Sequence, residues 1–217
     1  MRDSNWDLIN GEVAHEIEFL NYTSQINVIE ALFKLLSHYE SIDANGDKRA
    51  PNCKELREIH RTGTLFLLEA PGEYRNIQVY LRRADGTIVH MPPPPEEVGG
   101  HMEQFEQDLT MRWEQSDPLD MAAFTLWKIN WIHPFKNGNG RSARAFAYAC
   151  LCLKFGFWLP GFPTVIDLIM ENKGPYDEAL SRADAHFAST GNIDLSDLKA
   201  FLETLLRRQL GSITQTN

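Results

Sequence analysis

His133-Pro134-Phe135-Lys136-Asn137-Gly138-Asn139-Gly140-Arg141-Ser142-Ala143-Arg144 sits between two runs of helical apolar spacing, and its reading decides the rest of the chain. Upstream, Met121, Phe124, Leu126, Ile129 and Ile132 recur every two or three residues. Downstream, Arg141 to Phe155 reads as a second helix stopped by Gly156. The stretch is thus expected to be the loop of a helix pair. Pro134 disfavours further α geometry at His133, and Phe135 is expected to point into the core and anchor the loop. Asn139 or Gly140 should stand at or near the N-cap of the second helix, with Arg141 and Arg144 in its first turn.

Such a loop is built for anions. A helix start leaves N–H groups unpaired at the positive end of the helix dipole. Gly138 and Gly140 permit the dihedrals that turn successive N–H groups inward as a nest. Arg141 and Arg144, three apart, project to one side, where each guanidinium can fork onto phosphate oxygens. Cations at a helix start oppose the dipole unless an anion binds there. His133, at the other mouth of the loop, has an ordinary pKa near ~6.5 and suits a general base. Taken alone, the Asn-Gly-Asn-Gly run is an ordinary helix–helix turn and a histidine is more often structural; the combination favours a phosphate site.

Working outward, Ile26, Ile29, Phe33 and Leu36 mark an amphipathic helix that should end near Asp43-Ala44-Asn45-Gly46. A second helix is expected after Pro51-Asn52, through Leu56, Ile59 and His60 towards Leu67. Ile77–Leu81 and Thr87–His90 are β-prone runs around Asp85-Gly86, a hairpin-turn pair. Pro92 to Pro95 then form a stiff connector. Helical spacing resumes at Met102, Phe105 and Leu109, and again around Val165–Met170, Tyr176–Ala188 and Leu195–Leu210. No repeat or dividing linker is visible. The expectation is a mainly α fold, one domain over residues 1–217, interrupted by a single hairpin.

A length of 217 residues suffices for a sizeable core, and 43% hydrophobic with 24% charged residues is ordinary for a globular chain. A net charge of −9 argues against broad binding to nucleic acid but not against one basic cleft. Cys53, Cys150 and Cys152 lack metal-like spacing and are expected to be buried, reduced thiols. No run approaches a membrane span and no secretory leader is evident, so a cytoplasmic location is expected, with delivery into another cell left open. Trp127, Trp131, Phe146 and Tyr148 read as core packing, His60 and His101 as surface or satisfied core histidines, and Glu96-Glu97 and Glu103 to Glu106 as solvated faces.

The motif resembles that of the Fic family, His-x-Phe-x-(Asp/Glu)-Gly-Asn-Gly-Arg-x-x-Arg, with Asn137 the one departure. Gly72-Glu73-Tyr74-Arg75, the hairpin, the proline run with Glu96-Glu97-Val98, and Tyr176-Asp177-Glu178-Ala179-Leu180 extend the likeness over about residues 50–210. The resemblance implies a helical Fic-type domain that transfers AMP from ATP to a Ser, Thr or Tyr hydroxyl of a target protein. His133 would be the base. The backbone of Gly138, Asn139 and Gly140, with Arg141, would hold the α- and β-phosphates, and Arg144 the γ-phosphate. Tyr176 would lie near the adenine. The hairpin, through Ile77, Val79, Leu81 and Ile88, would be a flap that pairs with the target by strand addition.

In AMP-transferring relatives an acid at position 137 binds Mg²⁺ accompanying ATP; here Asn137 would be the metal ligand, with an amide oxygen in place of a charge. A phosphotransfer branch carries Lys there. Asn137 is neither, so transfer of a phosphoryl or other nucleotide group, or a weakly active nucleotide-binding module, stands as the alternative. Many relatives silence themselves with Ser/Thr-x-x-x-Glu-(Gly/Asn). Glu171-Asn172 has Asp167 at the hydroxyl position and the surroundings of Glu30 lack the pattern. Control by a separate, antitoxin-like protein or by partner availability is therefore expected.

Overall fold

The computed structural model describes residues 6–38, 49–82 and 85–215; the turn expected at Asp43–Gly46 lies outside them. Two-thirds of the described residues are helical, 67%. The helices are α1 (Glu12–Ser37), α2 (Cys53–Thr64), α3 (Val98–Trp113), α4 (Pro118–Ile132), α5 (Asn139–Phe155), α6 (Val165–Glu171), α7 (Lys173–Thr190) and α8 (Ser196–Gly211). A short hairpin, β1 (Leu81–Arg82) and β2 (Ile88–His90), precedes a 3-10 turn at Pro95–Glu97.

The centre is α4 against α5. Every residue of α4 from Met121 to Ile129 is buried, Lys128 included, as expected of a helix that is apolar all round. Asp117 starts it by accepting the N–H of Asp120 at 2.8 Å, with Pro118 in the first turn. Lys128 is tolerated because its amine lies 4.6 Å from the centre of the Trp131 ring and 5.4 Å from that of Trp127. The helix α5 buries Ala143, Ala145, Phe146, Ala147, Tyr148 and Cys150, and its alanines admit close neighbours. α1 and α2 cover α5 on one side, α3 and α8 pack on α4, and α6 and α7 join α8.

Several boundaries differ from those read in the sequence. α1 begins well before Ile26, so residues 12–25 extend along the core. α2 stops at Thr64 rather than near Leu67, because Phe66 turns left-handed (φ 64°). That turn sends Leu67 and Leu68 into a small second core with Trp6 and Ala14. Asp7 N–H and Leu8 N–H both donate to Leu67 O, which ties the amino-terminal segment down. The hairpin starts later than expected: Ile77 and Val79 precede β1, and among the described residues Leu81 pairs with His90 and Arg82 with Ile88. Its Asp85-Gly86 turn is present, with Thr87 N–H donating to Asp85 Oδ1 at 2.9 Å and Gly86 at φ 87°. Cys150 and Cys152 are buried, Cys53 only partly. Glu106 is not a solvated carboxylate: it accepts the N–H of Cys53 at 2.8 Å and caps α2.

Candidate active site

The loop between α4 and α5 is held from inside and from below. Its internal clasp is Asn139, whose Oδ1 accepts the N–H of Phe135 at 2.8 Å and whose Nδ2 donates to Phe135 O at 2.7 Å. The Asn139 side chain therefore closes the loop, and only its backbone is left to face an anion. Phe135 is fully buried and stacks on His60, centroid to centroid 3.7 Å.

His60, from α2, is the floor. Gly72 N–H donates to its Nδ1 at 2.9 Å, which puts the ring proton on Nε2, and Nε2–H donates to Asn137 O at 2.9 Å. Burial lowers its pKa to about 4, so the ring is neutral. Gly138 rests on this floor at φ 78°; a Cβ there would lie 2.6 Å from Thr64 Cγ2 and 3.3 Å from His60 Nε2. Glycine is required twice over, by dihedral and by space.

Gly138 is also the N-cap of α5, one or two residues earlier than read from sequence. Arg141 consequently closes the first turn and Arg144 falls in the second, not the first. The outward first-turn amides are those of Asn139, Gly140 and Arg141. The side chain of Asn137 turns towards the same helix start, its Oδ1 accepting the N–H of Gly138 at 2.7 Å.

His133 is the C-cap of α4, itself left-handed (φ 52°, ψ 57°), with its N–H donating to Ile129 O at 2.9 Å. Pro134 allows this reversal where a further helical turn is disfavoured. The imidazole Nδ1 faces Asn130 O at 3.3 Å. A carbonyl only accepts, so Nδ1 carries the proton and Nε2 keeps its lone pair. Burial is the main cause that lowers the His133 pKa to about 4; the Asn130 carbonyl opposes it, and His90 and Arg75 nearby add to it.

The two arginines are engaged differently. Arg141 Nη2 lies 3.4 Å from Glu18 Oε1, and its guanidinium stacks 4.8 Å from the Trp6 ring centre. Trp6 Nε1–H donates to the same Glu18 carboxylate. Lys136 points away from the cradle, onto Asp7 at 2.5 Å. Arg144 folds back over the start of α5, its Nη1 3.2 Å from where a Cβ on Gly140 would lie, and it neighbours the Tyr176 hydroxyl. Tyr176 is buried, packs on Phe201 and accepts from Asn130 Nδ2 at 3.1 Å. It thus braces Arg144 rather than offering an open face to a base.

Sequence reasoning missed Glu18, Trp6 and Asp7: Glu18 lies ahead of the apolar spacing that begins at Ile26, and Trp6 and Asp7 precede α1 altogether. Glu30, which it did weigh, pairs with Lys34 on the surface. A carboxylate four residues after Ala14, where the family pattern has Ser or Thr, was the signal available. The flap residues Ile77 and Ile88 are exposed, Val79 and Leu81 half-buried.

No group of three or more His, Cys, Asp or Glu poised to hold a metal occurs among the described residues. At position 137 the donor is an uncharged amide oxygen already committed to Gly138 N–H, so this donor set does not fit a Mg²⁺ anchor.

Fold and site together define a helical domain with a glycine loop and arginines arranged around a helix N-terminus. Residues 51–151 match the Fic/DOC family and form a domain of that family. Protein adenylyltransferase Fic of Nematostella vectensis is 35% identical over 133 residues, 60% of this chain and 28% of that protein. Protein adenylyltransferase fic-1 of Caenorhabditis elegans is 32% identical over 194 residues, 81% of this chain and 33% of that protein. The chain thus spans about a third or less of the curated relatives it matches. A Fic family protein from Desulfovibrio desulfuricans G20 shares the fold, with TM-score 0.66 and 23% identity over 92% of this chain and 53% of that one. No helix among the described residues is long and apolar enough to cross a membrane.

Proposed function

We propose that this domain is a protein adenylyltransferase, moving AMP from ATP to a hydroxyl of a target protein. The observation that carries the reading is the state of His133: neutral, with Nδ1–H given to Asn130 O and the Nε2 lone pair left as a proton acceptor. In the proposed step a target Ser, Thr or Tyr oxygen attacks the α-phosphorus. Its proton passes to His133 Nε2, the bond from the α-phosphorus to the bridging oxygen breaks, and pyrophosphate leaves. The amides of Asn139, Gly140 and Arg141 stabilise charge developing on the phosphate oxygens. Arg141 and Arg144 hold the β- and γ-phosphates. The names of the relatives support the same activity.

Arg141 is engaged with Glu18 in the described structure, so an incoming triphosphate must displace a carboxylate from it. This restraint lies within the chain, and a separate antitoxin-like inhibitor is not needed for it. The target is read as docking along the exposed edge of the hairpin.

The alternative, a weakly active nucleotide binder, draws on one observation: Asn137 Oδ1 occupies the Gly138 N–H and supplies no charge. One experiment separates the readings. Purified protein in cell lysate receives ATP labelled at the α- or the γ-phosphate. Label transferred to protein only from the α position supports AMP transfer. Label from the γ position supports phosphoryl transfer, and neither label, with ATP binding retained by calorimetry, supports the binding module.

A further inference from the structure

Arg75 closes the Gly72-Glu73-Tyr74-Arg75 stretch ahead of the hairpin, and the proposed reaction gives it no role. It is 4% exposed, and its partners are main-chain oxygens. Its Nε–H donates to His133 O at 2.8 Å, Nη1 to Ile77 O at 3.1 Å, and Nη2 to Pro93 O at 2.5 Å and Ile132 O at 3.4 Å. Its own backbone N–H donates to Pro134 O at 2.8 Å.

These partners form two groups. Ile132 and His133 are the carbonyl end of α4, where the dipole is negative and the last oxygens lack helical partners. A cation there is favourable, and it braces the left-handed His133, a conformation that is costly in a non-glycine residue. Ile77 and Pro93 are the points where the chain leaves for the hairpin and returns from it. The hairpin's far side is fixed separately, by His90 Nε2–H donating to Trp131 O at 2.8 Å and by Gln78 Nε2–H donating to Pro92 O at 3.2 Å.

We propose that Arg75 is a positioning residue that clamps the His133 turn and both feet of the hairpin with one guanidinium, so that target docking and presentation of the base form one unit. The proposal rests on the reading of His133 as the base and of the hairpin as the docking edge. A planar fork with five N–H donors suits oxygens that lie in several directions; an ammonium, a point charge on a flexible stem, cannot span them. Lysine keeps the charge and loses the clamp. Methionine keeps the apolar stem and loses both.

The test uses Arg75→Lys and Arg75→Met in the full chain, with three readouts: amide hydrogen exchange of the hairpin, NMR titration of the His133 ring, and α-labelled ATP transfer. ATP binding by calorimetry should stay within about threefold of native, because no phosphate-holding group is touched. Hairpin amides should exchange about tenfold faster in both variants. The His133 ring, loosened and better hydrated, should titrate clearly above the native value of about 4 in both, further in Arg75→Met, which also removes the nearby charge. The groups facing that ring are the Asn130 carbonyl of α4, His90 of β2 and Arg75 itself. Transfer should fall at least about thirtyfold.

If the native protein transfers no label, the proposed reaction fails while exchange and titration still decide the role of Arg75. Unchanged hairpin exchange and an unchanged His133 titration in Arg75→Lys would overturn the clamp. So would loss of folding in both variants, which would make Arg75 a general structural residue.

Discussion

The loop from His133 to Gly138 and the hairpin ahead of it are both connections, yet they are built in opposite ways. In the loop nearly every polar group has a partner that fixes it. Asn139 clasps Phe135, His60 holds Asn137 O from below, and Gly138 has no room for a methyl group. Among the described residues the hairpin pairs at two positions, exposes Ile77, Ile88 and Val89, and is tied to the body through Arg75, Gln78 and His90. A charge-stabilising site must be set before the substrate arrives, since reorganisation during reaction would cost what the site is meant to supply. A surface that adds a strand from another chain needs unpaired edge groups and some give. The contrast between a rigid cradle and an open edge is what the proposed function requires.

The variant that should break the contrast most severely is Gly138→Ala. A left-handed dihedral and a 2.6 Å approach to Thr64 oppose it together, at about 2–4 kcal/mol. Thermal melting should drop by roughly 10 °C, and calorimetry should show ATP binding severely weakened. A native melting point would mean that the floor under the loop yields.

On the hairpin side, Ile88→Lys should leave melting within about 0.5 kcal/mol of native, since Ile88 is 45% exposed. Labelling of lysate proteins should nevertheless fall on the order of tenfold, from loss of a docking contact. Equal labelling would remove the hairpin from target recognition.

The smallest effect is expected where a third region touches the cradle. Glu18→Ala releases Arg141 from a partly exposed ion pair worth about 1 kcal/mol, so ATP should bind roughly fivefold tighter and transfer should rise. Weaker ATP binding would show that Glu18 orients Arg141 for the phosphate instead of competing with it.

The same contrast explains what the sequence could disclose. The loop was legible because its chemistry is contiguous: His133, the glycines and both arginines lie within twelve residues, and helical spacing on either side fixes what the loop joins. Partners from distant segments were not legible. His60 looked like any core histidine because its contacts with Asn137 and Gly72 exist only once α2 lies under the loop. Glu18 and Trp6 reach Arg141 only once α1 and the segment before it pack beside α5, and the one local hint, a carboxylate four residues after Ala14, lacks the hydroxyl of the family pattern. The hairpin was overestimated for a related reason: Ile77 to Tyr80 have strand propensity, but Gln78 and the fork of Arg75 take the backbone there to the proline connector instead.

The pH dependence sharpens the role of His133. A base must be neutral to act, and burial lowers this imidazole to about 4, so kcat/KM should stay level as pH falls from 8 to about 5 and decline below that. An acid limb centred near ~6.5 would point to a solvated imidazole or to another group.

The most direct measurement is the transfer rate of His133→Ala with α-labelled ATP, taken beside its ATP affinity by calorimetry. The account predicts affinity within about threefold of native and transfer lower by about 10²–10⁴-fold, the loss of a proton acceptor from an intact cradle. Transfer at the native rate, with the label still reaching a protein hydroxyl, would contradict it.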